Sequence, residues 1–89
     1  MALFNVGQVC ATPDALAHCE RCKINPVQLI SRHAGGDWGE LCETDVAVNV
    51  QALQHDERIL SAYLLNGVKL YCITEWDRSC TTLLLASEY

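Results

Sequence analysis

Hydrophobic and polar positions along the chain follow two different periods. From Thr12 to about residue 57 the apolar residues recur at helical spacing between start and stop signals, and from Arg58 onward they alternate with a period of two. Residues 2–10 hold Leu3, Phe4, Val6 and Val9 around Gly7, which reads as a short extended piece with a turn or bulge at the glycine. Thr12-Pro13-Asp14 then supplies an N-cap hydroxyl, a proline suited to the first helical position and a carboxylate at the positive end of the dipole, so a first helix is expected to about Cys22. Asn25-Pro26 repeats the device for a second helix, whose Val27, Leu29 and Ile30 can face a core before Gly35-Gly36 ends it. Asp37-Trp38-Gly39-Glu40 sets a carboxylate three residues before a glutamate, a variant capping box, so helix is expected to resume there. Thr44-Asp45 is a candidate cap for a third helix, along which Cys42, Val46, Val50 and Leu53 form one apolar stripe.

In the period-two region Asn66-Gly67 lies between RILSAYLL and VKLYCITE, the strongest short-range signal for a hairpin. A two-residue turn there pairs Leu65 with Val68, Tyr63 with Leu70, Ser61 with Cys72 and Ile59 with Thr74, and it sets Arg58 opposite Glu75. Trp76-Asp77-Arg78-Ser79 makes a looser turn into 80–85, placing Leu83 beside Cys72 and Thr81 beside Thr74. The expected fold is α+β over a single domain, 1–89: two or three N-terminal helices packed on a C-terminal three-stranded antiparallel meander. Both faces of that sheet are apolar, with Leu60, Ala62, Tyr71, Ile73 and Leu84 on one and Ile59, Tyr63, Leu70, Cys72, Leu83 and Leu85 on the other. Helices cover one of them. The second is either covered by the N-terminal segment and the third helix or left as an association surface, which predicts a homodimer through a sheet face or the edge strand 80–85.

Composition narrows the class without naming a function. With 51% hydrophobic and 19% charged residues the chain is too apolar for disorder, and no apolar run approaches the roughly 18 residues of a membrane span. Six Lys+Arg against eleven Asp+Glu give a net charge of −5, the wrong sign for holding nucleic acid through its phosphates. The opening Met-Ala-Leu-Phe-Asn-Val-Gly-Gln has no basic region followed by an apolar run, so no signal peptide is expected, and the six cysteines read as cytoplasmic thiols. Cys10, Cys42, Cys72 and Cys80 sit in or beside apolar patterns, where reduced cysteine acts as a small hydrophobe.

Three stretches carry a likeness to known proteins: HAGGDWGELC from His33 to Cys42, RILSAY from Arg58 to Tyr63, and ITEWDRSCTTLL from Ile73, with Ala11-Thr12-Pro13 at the start of the first helix and Glu88-Tyr89 at the end. Over nearly its whole length the chain resembles a family of small proteins carried on bacterial plasmids and integrative elements, labelled plasmid-related. The resemblance implies a mobile-element setting and brings no mechanism. Where that family commonly has a proline before the final Glu-Tyr, this chain has Ala86-Ser87, and Cys19 and Cys22 lie outside the family's pattern.

Three candidate chemistries follow from the residues, and a fourth is excluded. His18-Cys19-Glu-Arg-Cys22 contains a Cys-x-x-Cys, which lets two thiolates reach one zinc at about 2.3 Å, although Cys42, His33 or His55 would have to complete four ligands; if the segment is helical, both sulfurs can instead face the core. In the hairpin register Ser61, Thr74 and Thr81 gather at one end of the sheet under the Asp77-Arg78 turn. With His33 and Trp38 packed there, His33 as general acid or base, Arg78 as charge stabiliser and Tyr63 or Ser61 as positioning groups could cleave a phosphodiester without metal. The structural alternative has Asp37 capping a helix, Arg78 paired with Asp77 or a helix end, and Trp38 in the core. Asp37, Glu40, Glu43 and Asp45, four acids with no intervening Lys or Arg, suit either a solvated helix start or docking on a basic surface of a host nucleic-acid enzyme. Gly35-Gly36 lacks the Lys-Ser/Thr of a phosphate loop, so no nucleotide cofactor is expected, nor any other.

Together these readings predict a non-enzymatic protein-binding or accessory factor of a bacterial mobile genetic element. It would have a protein partner, with Asp37, Trp38, Glu40, Thr74, Asp77, Arg78 and Thr81 at the binding surface, and of a kind that can antagonise restriction or CRISPR defence. The alternative is a small RNase-like enzyme using His33 and Arg78.

Overall fold

The computed structural model describes residues 2–89. In chain order these form β1 (Gln8–Ala11), α1 (Pro13–Arg21), α2 (Pro26–Ala34), α3 (Glu43–His55), β2 (Ile59–Leu65), β3 (Val68–Thr74), β4 (Cys80–Leu85) and a short 3₁₀ turn, Ala86–Glu88. The class is α+β. Its sheet has four strands in the order β1-β4-β3-β2, with β1 parallel to β4 and the rest antiparallel. The expected three-stranded meander is therefore present and extended by a fourth strand, and Cys80–Leu85 is an interior strand instead of the expected edge.

Local chemistry accounts for the well-read elements. The Thr12 hydroxyl accepts the Ala15 N–H at 3.1 Å, and Asn25 with Gln28 forms a reciprocal capping box, so both prolines stand just inside their helices. Asn66 and Gly67 both take positive φ, 49° and 79°, as a two-residue turn matched to strand twist requires. The resulting register is the expected one throughout: Ser61 faces Cys72, Cys72 faces Leu83, Thr74 faces Thr81, and Arg58 lies 3.7 Å from Glu75.

The main core lies between α1 and α2 and one sheet face. Ala15, Cys19, Leu29 and Ile30 from the helices pack with Tyr63, Leu70, Cys72 and Leu83. Each fully buried large side chain here contributes about 1.5–3 kcal/mol of transfer free energy. A second cluster of Trp38, Ala52 and Ile59, flanked by Phe4, Leu41 and Leu53, ties α3 to the β2 margin. On the opposite sheet face Ala62 and Ile73 are buried, Leu60, Tyr71 and Leu84 are half-buried and Leu64 is exposed. What packs there is Tyr89, edge-on to Tyr71 at 5.7 Å, with Arg58 over its ring. The N-terminal segment runs on the helical side instead, with Phe4 edge-on to His33 at 5.2 Å.

Three expectations are corrected. Asp37–Glu40 is not helical: Trp38 accepts the Ala62 N–H at 3.0 Å and Glu40 donates to the Ala62 carbonyl, so the segment forms a one-residue parallel bridge at Gly39 along β2. The third helix begins at Glu43 with Cys42 in the N-cap position and no side-chain cap, so Thr44-Asp45 lies inside its first turn. Its buried residues are Asn49 and Ala52, while Cys42, Val46 and Val50 of the expected stripe are exposed. The physical reason is Asn49, whose amide donates to the Leu60 carbonyl at 2.7 Å and whose carbonyl accepts the Leu60 N–H at 3.1 Å. That side chain stands in for a neighbouring strand, and satisfying two edge groups fixes which face of α3 turns inward.

Candidate functional site

The converging polar residues are His33, Ser61, Thr74 and Thr81, brought together by α2 packing on β2 and β3 and by the β3–β4 ladder that sets Thr81 opposite Thr74. All four are fully buried. Proton positions along the chain of hydrogen bonds follow from its terminus. Thr81 donates to the Val6 carbonyl at 2.7 Å and so accepts from Thr74 at 2.6 Å. Thr74 has then used its only proton, and His33 Nε2–H must donate to it at 2.8 Å, leaving Nδ1 to accept from Ser61 at 2.5 Å. Every member is satisfied with His33 neutral. Burial also lowers the imidazole to about 4.

Tyr63 and Arg78, the other members of the expected constellation, work elsewhere. The Tyr63 hydroxyl donates to the Asp37 carbonyl at 2.7 Å, and burial raises its ionisation well above the usual phenolic range. Arg78, with φ 60°, sends one guanidinium nitrogen to the Glu57, Glu75 and Trp76 carbonyls at 2.6, 3.1 and 3.2 Å and the other to the Ala52 carbonyl at 2.9 Å. It thereby closes the C-terminal turn of α3 and locks the β3–β4 turn to it. Phe4 touches both His33 and Arg78, so the imidazole and guanidinium are joined through a ring and not through a shared ligand space. Arg78→Ala is expected to lower stability by about 2 kcal/mol, since it removes the charge-assisted bonds that join the end of α3 to the β3–β4 turn although Ala52 keeps the Glu57 N–H as a donor, and chemical denaturation of the variant measures it.

The acidic segment divides into paired and free members. Arg32 holds Asp37 at 2.7 Å, which keeps that carboxyl below the usual carboxylate range, and Asp37 also accepts the Gly39 N–H at 3.3 Å. Asp77 accepts the Ser79 N–H at 3.0 Å within its own turn, and hydrogen bonding to Ser79, through its side chain first and its main chain second, lowers the Asp77 pKa. Trp38 is buried in the second cluster, and its indole Nε1 is the one buried side-chain polar atom without a partner among the described residues. Glu40, Glu43 and Asp45 are exposed and form no ion pair among the described residues.

Of the two candidate thiol ligands, Cys19 is buried in the main core, where burial raises its pKa, and Cys22 lies at the end of α1 accepting from Asn66 at 3.3 Å. Among the described residues no three His, Cys, Asp or Glu side chains are gathered as a metal would require. His18 is instead a structural donor, bonding the Leu65 carbonyl at 2.9 Å and so clasping α1 to the hairpin turn. Neither this bond nor that of Asn49 carries a sequence signal, since both join a side chain to a distant main-chain group.

The arrangement can order a core, hold a helix end and present an acidic surface. An imidazole that is 0% exposed and bonded through both nitrogens offers no atom to an external phosphodiester. No helix is long and apolar enough to cross a membrane among the described residues. Compared with models of protein families, with curated proteins and with solved structures, the chain matches none.

Proposed function

We propose that this chain is a non-enzymatic, cytoplasmic protein-binding or accessory factor of a bacterial mobile element, acting on a host nucleic-acid defence protein through a basic surface of that partner. The observation that carries the reading is the outer side of α3 and its approach. Val46 and Val50, one turn apart on the helix, are 38% and 47% exposed beside the unpaired Glu40, Glu43 and Asp45. Exposed apolar residues within unneutralised negative charge match a cationic, partly apolar partner, where charge steers the encounter and the valines supply contact area. The mobile-element setting comes from the sequence resemblance alone.

The test pairs affinity capture of the tagged protein from a bacterial host with the variant Glu40→Lys/Glu43→Lys/Asp45→Lys. A stoichiometric partner retained by the native chain, lost by the variant and weakened by added salt is the expected result, with both proteins melting alike. The RNase-like alternative on His33 and Arg78 has no geometric support, because both groups are committed to internal bonds. Cleavage of a phosphodiester by the purified chain, abolished in a His33→Gln variant that stays folded, would overturn the binding reading.

A further inference from the structure

The two margins of the sheet are treated differently. On β2 the outward main-chain groups of Leu60 are taken by Asn49 and those of Ala62 by Trp38 and Glu40, leaving Leu64 alone. On β1 nothing comparable is present among the described residues. Gln8 donates to Ser79 and Thr12 to Leu83, each at 3.0 Å, so Gln8, Cys10 and Thr12 turn their main chain toward β4. In a parallel pair the alternate residues face the other way, which points the N–H and C=O of Val9 and Ala11 outward. Val9 is 49% exposed and Cys10 is exposed.

Such an edge normally carries a charge, a proline or a covering segment to prevent pairing. Gln8–Ala11 itself has none of them, and residues 2–13 contain no charged side chain in a chain of net charge −5. The missing charge decides the occupant. Two copies of an acidic protein repel across most of their surfaces, but they can approach through a neutral edge, and an extended strand is the only shape that pairs with its outward amides. We infer that β1 pairs antiparallel with β1 of a second copy, joining two four-stranded sheets into one of eight strands about a two-fold axis.

The register follows from the limits of the strand. Gly7, at φ 63°, ends the extended backbone on one side, and Pro13 has no N–H on the other. The pairing that uses both outward residues of each copy sets Val9 opposite Ala11 of its partner copy and centres the axis on Cys10. That yields four main-chain hydrogen bonds. It also makes the two Cys10 residues a non-hydrogen-bonded pair, with Cα atoms about 4.5 Å apart and side chains adjacent on one face. The contact is small, so the dimer is weak and concentration-dependent. It is independent of the partner reading, which concerns the opposite margin of the molecule.

Light scattering of the full chain at rising concentration, combined with a short bismaleimide cross-linker, tests this. The mass is expected to double toward high concentration. In a Cys42→Ala background, which removes the other exposed cysteine, the cross-linked dimer should persist, and Cys10→Ala should abolish it. Val9→Pro removes an outward N–H, and Val9→Lys puts a charge on the edge without touching the β4 ladder; both should return the chain to monomer, the lysine variant with its melt unchanged. A monomer at every concentration overturns the proposal. So does a dimer that survives Val9→Lys or fails to cross-link through Cys10.

Discussion

Gly39→Ala is expected to destabilise the protein by about 3–4 kcal/mol, a large share of the roughly 5–15 kcal/mol available to a domain. Gly39 has φ +74°, where an L side chain costs about 1–2 kcal/mol. Its missing Cβ faces the Ala62 carbonyl directly, with the Tyr63 ring 2.7 Å away, so a methyl group would occupy space held by main chain. Relief requires moving the segment off β2. That would break the bonds of Trp38 and Glu40 to Ala62 and draw Trp38 away from Ala52 and Ile59. Gly67→Ala is the control, because Gly67 has a similar φ of +79° and open space around it. It should cost only the conformational term, about 1 kcal/mol. Urea denaturation midpoints of the two variants measure the difference, and equal losses would show that contact with β2 contributes nothing.

The same glycine shows why part of the fold was hidden. Asp37-Trp38-Gly39-Glu40 matches a capping pattern, and only the left-handed φ at Gly39, together with a carbonyl 23 residues further on, makes it an edge segment instead. The hairpin was legible because Asn66-Gly67 fixes a local turn, and a local turn fixes every pair along two strands. β1 was read only as a short extended piece, since parallel pairing has no turn to announce it and its four residues are barely buried. In α3 the apolar stripe misled because an asparagine is the residue that faces inward, and its value lies in main-chain groups that a hydrophobic pattern does not weigh. For the candidate site, register alone brings Ser61, Thr74 and Thr81 together, but whether His33 meets solvent depends on α2, the N-terminal segment and the sheet at once.

That enclosure makes stability depend on pH in a definite window. His33 titrates at about 4 in the folded protein against an ordinary 6.5 when the chain is unfolded. Between those values the unfolded state binds the extra proton, so acidification favours unfolding. Stability from this group is complete above pH 6.5, falls as the pH drops toward 4, and stops falling once both states are protonated. The full loss is about 3 kcal/mol at 1.36 kcal/mol per unit. Geometry gives the same sign: a proton on Nδ1 turns an acceptor into a donor facing the Ser61 hydroxyl, which must rotate away and lose the hydrogen bond it makes. Carboxylate contributions lie lower, since Asp37 is held below its ordinary 3.8 by Arg32 and is lost only as the pH falls beneath that range. Urea denaturation at pH 7 and pH 4.5 should therefore differ strongly for the native chain and weakly for His33→Gln, which cannot titrate. His33→Ala at pH 7 should cost about 3–5 kcal/mol, because Ser61 loses its acceptor, Thr74 its donor, and a cavity opens against Phe4. An unchanged pH slope in His33→Gln would mean that the imidazole already reaches water, and would restore it as a candidate acid or base.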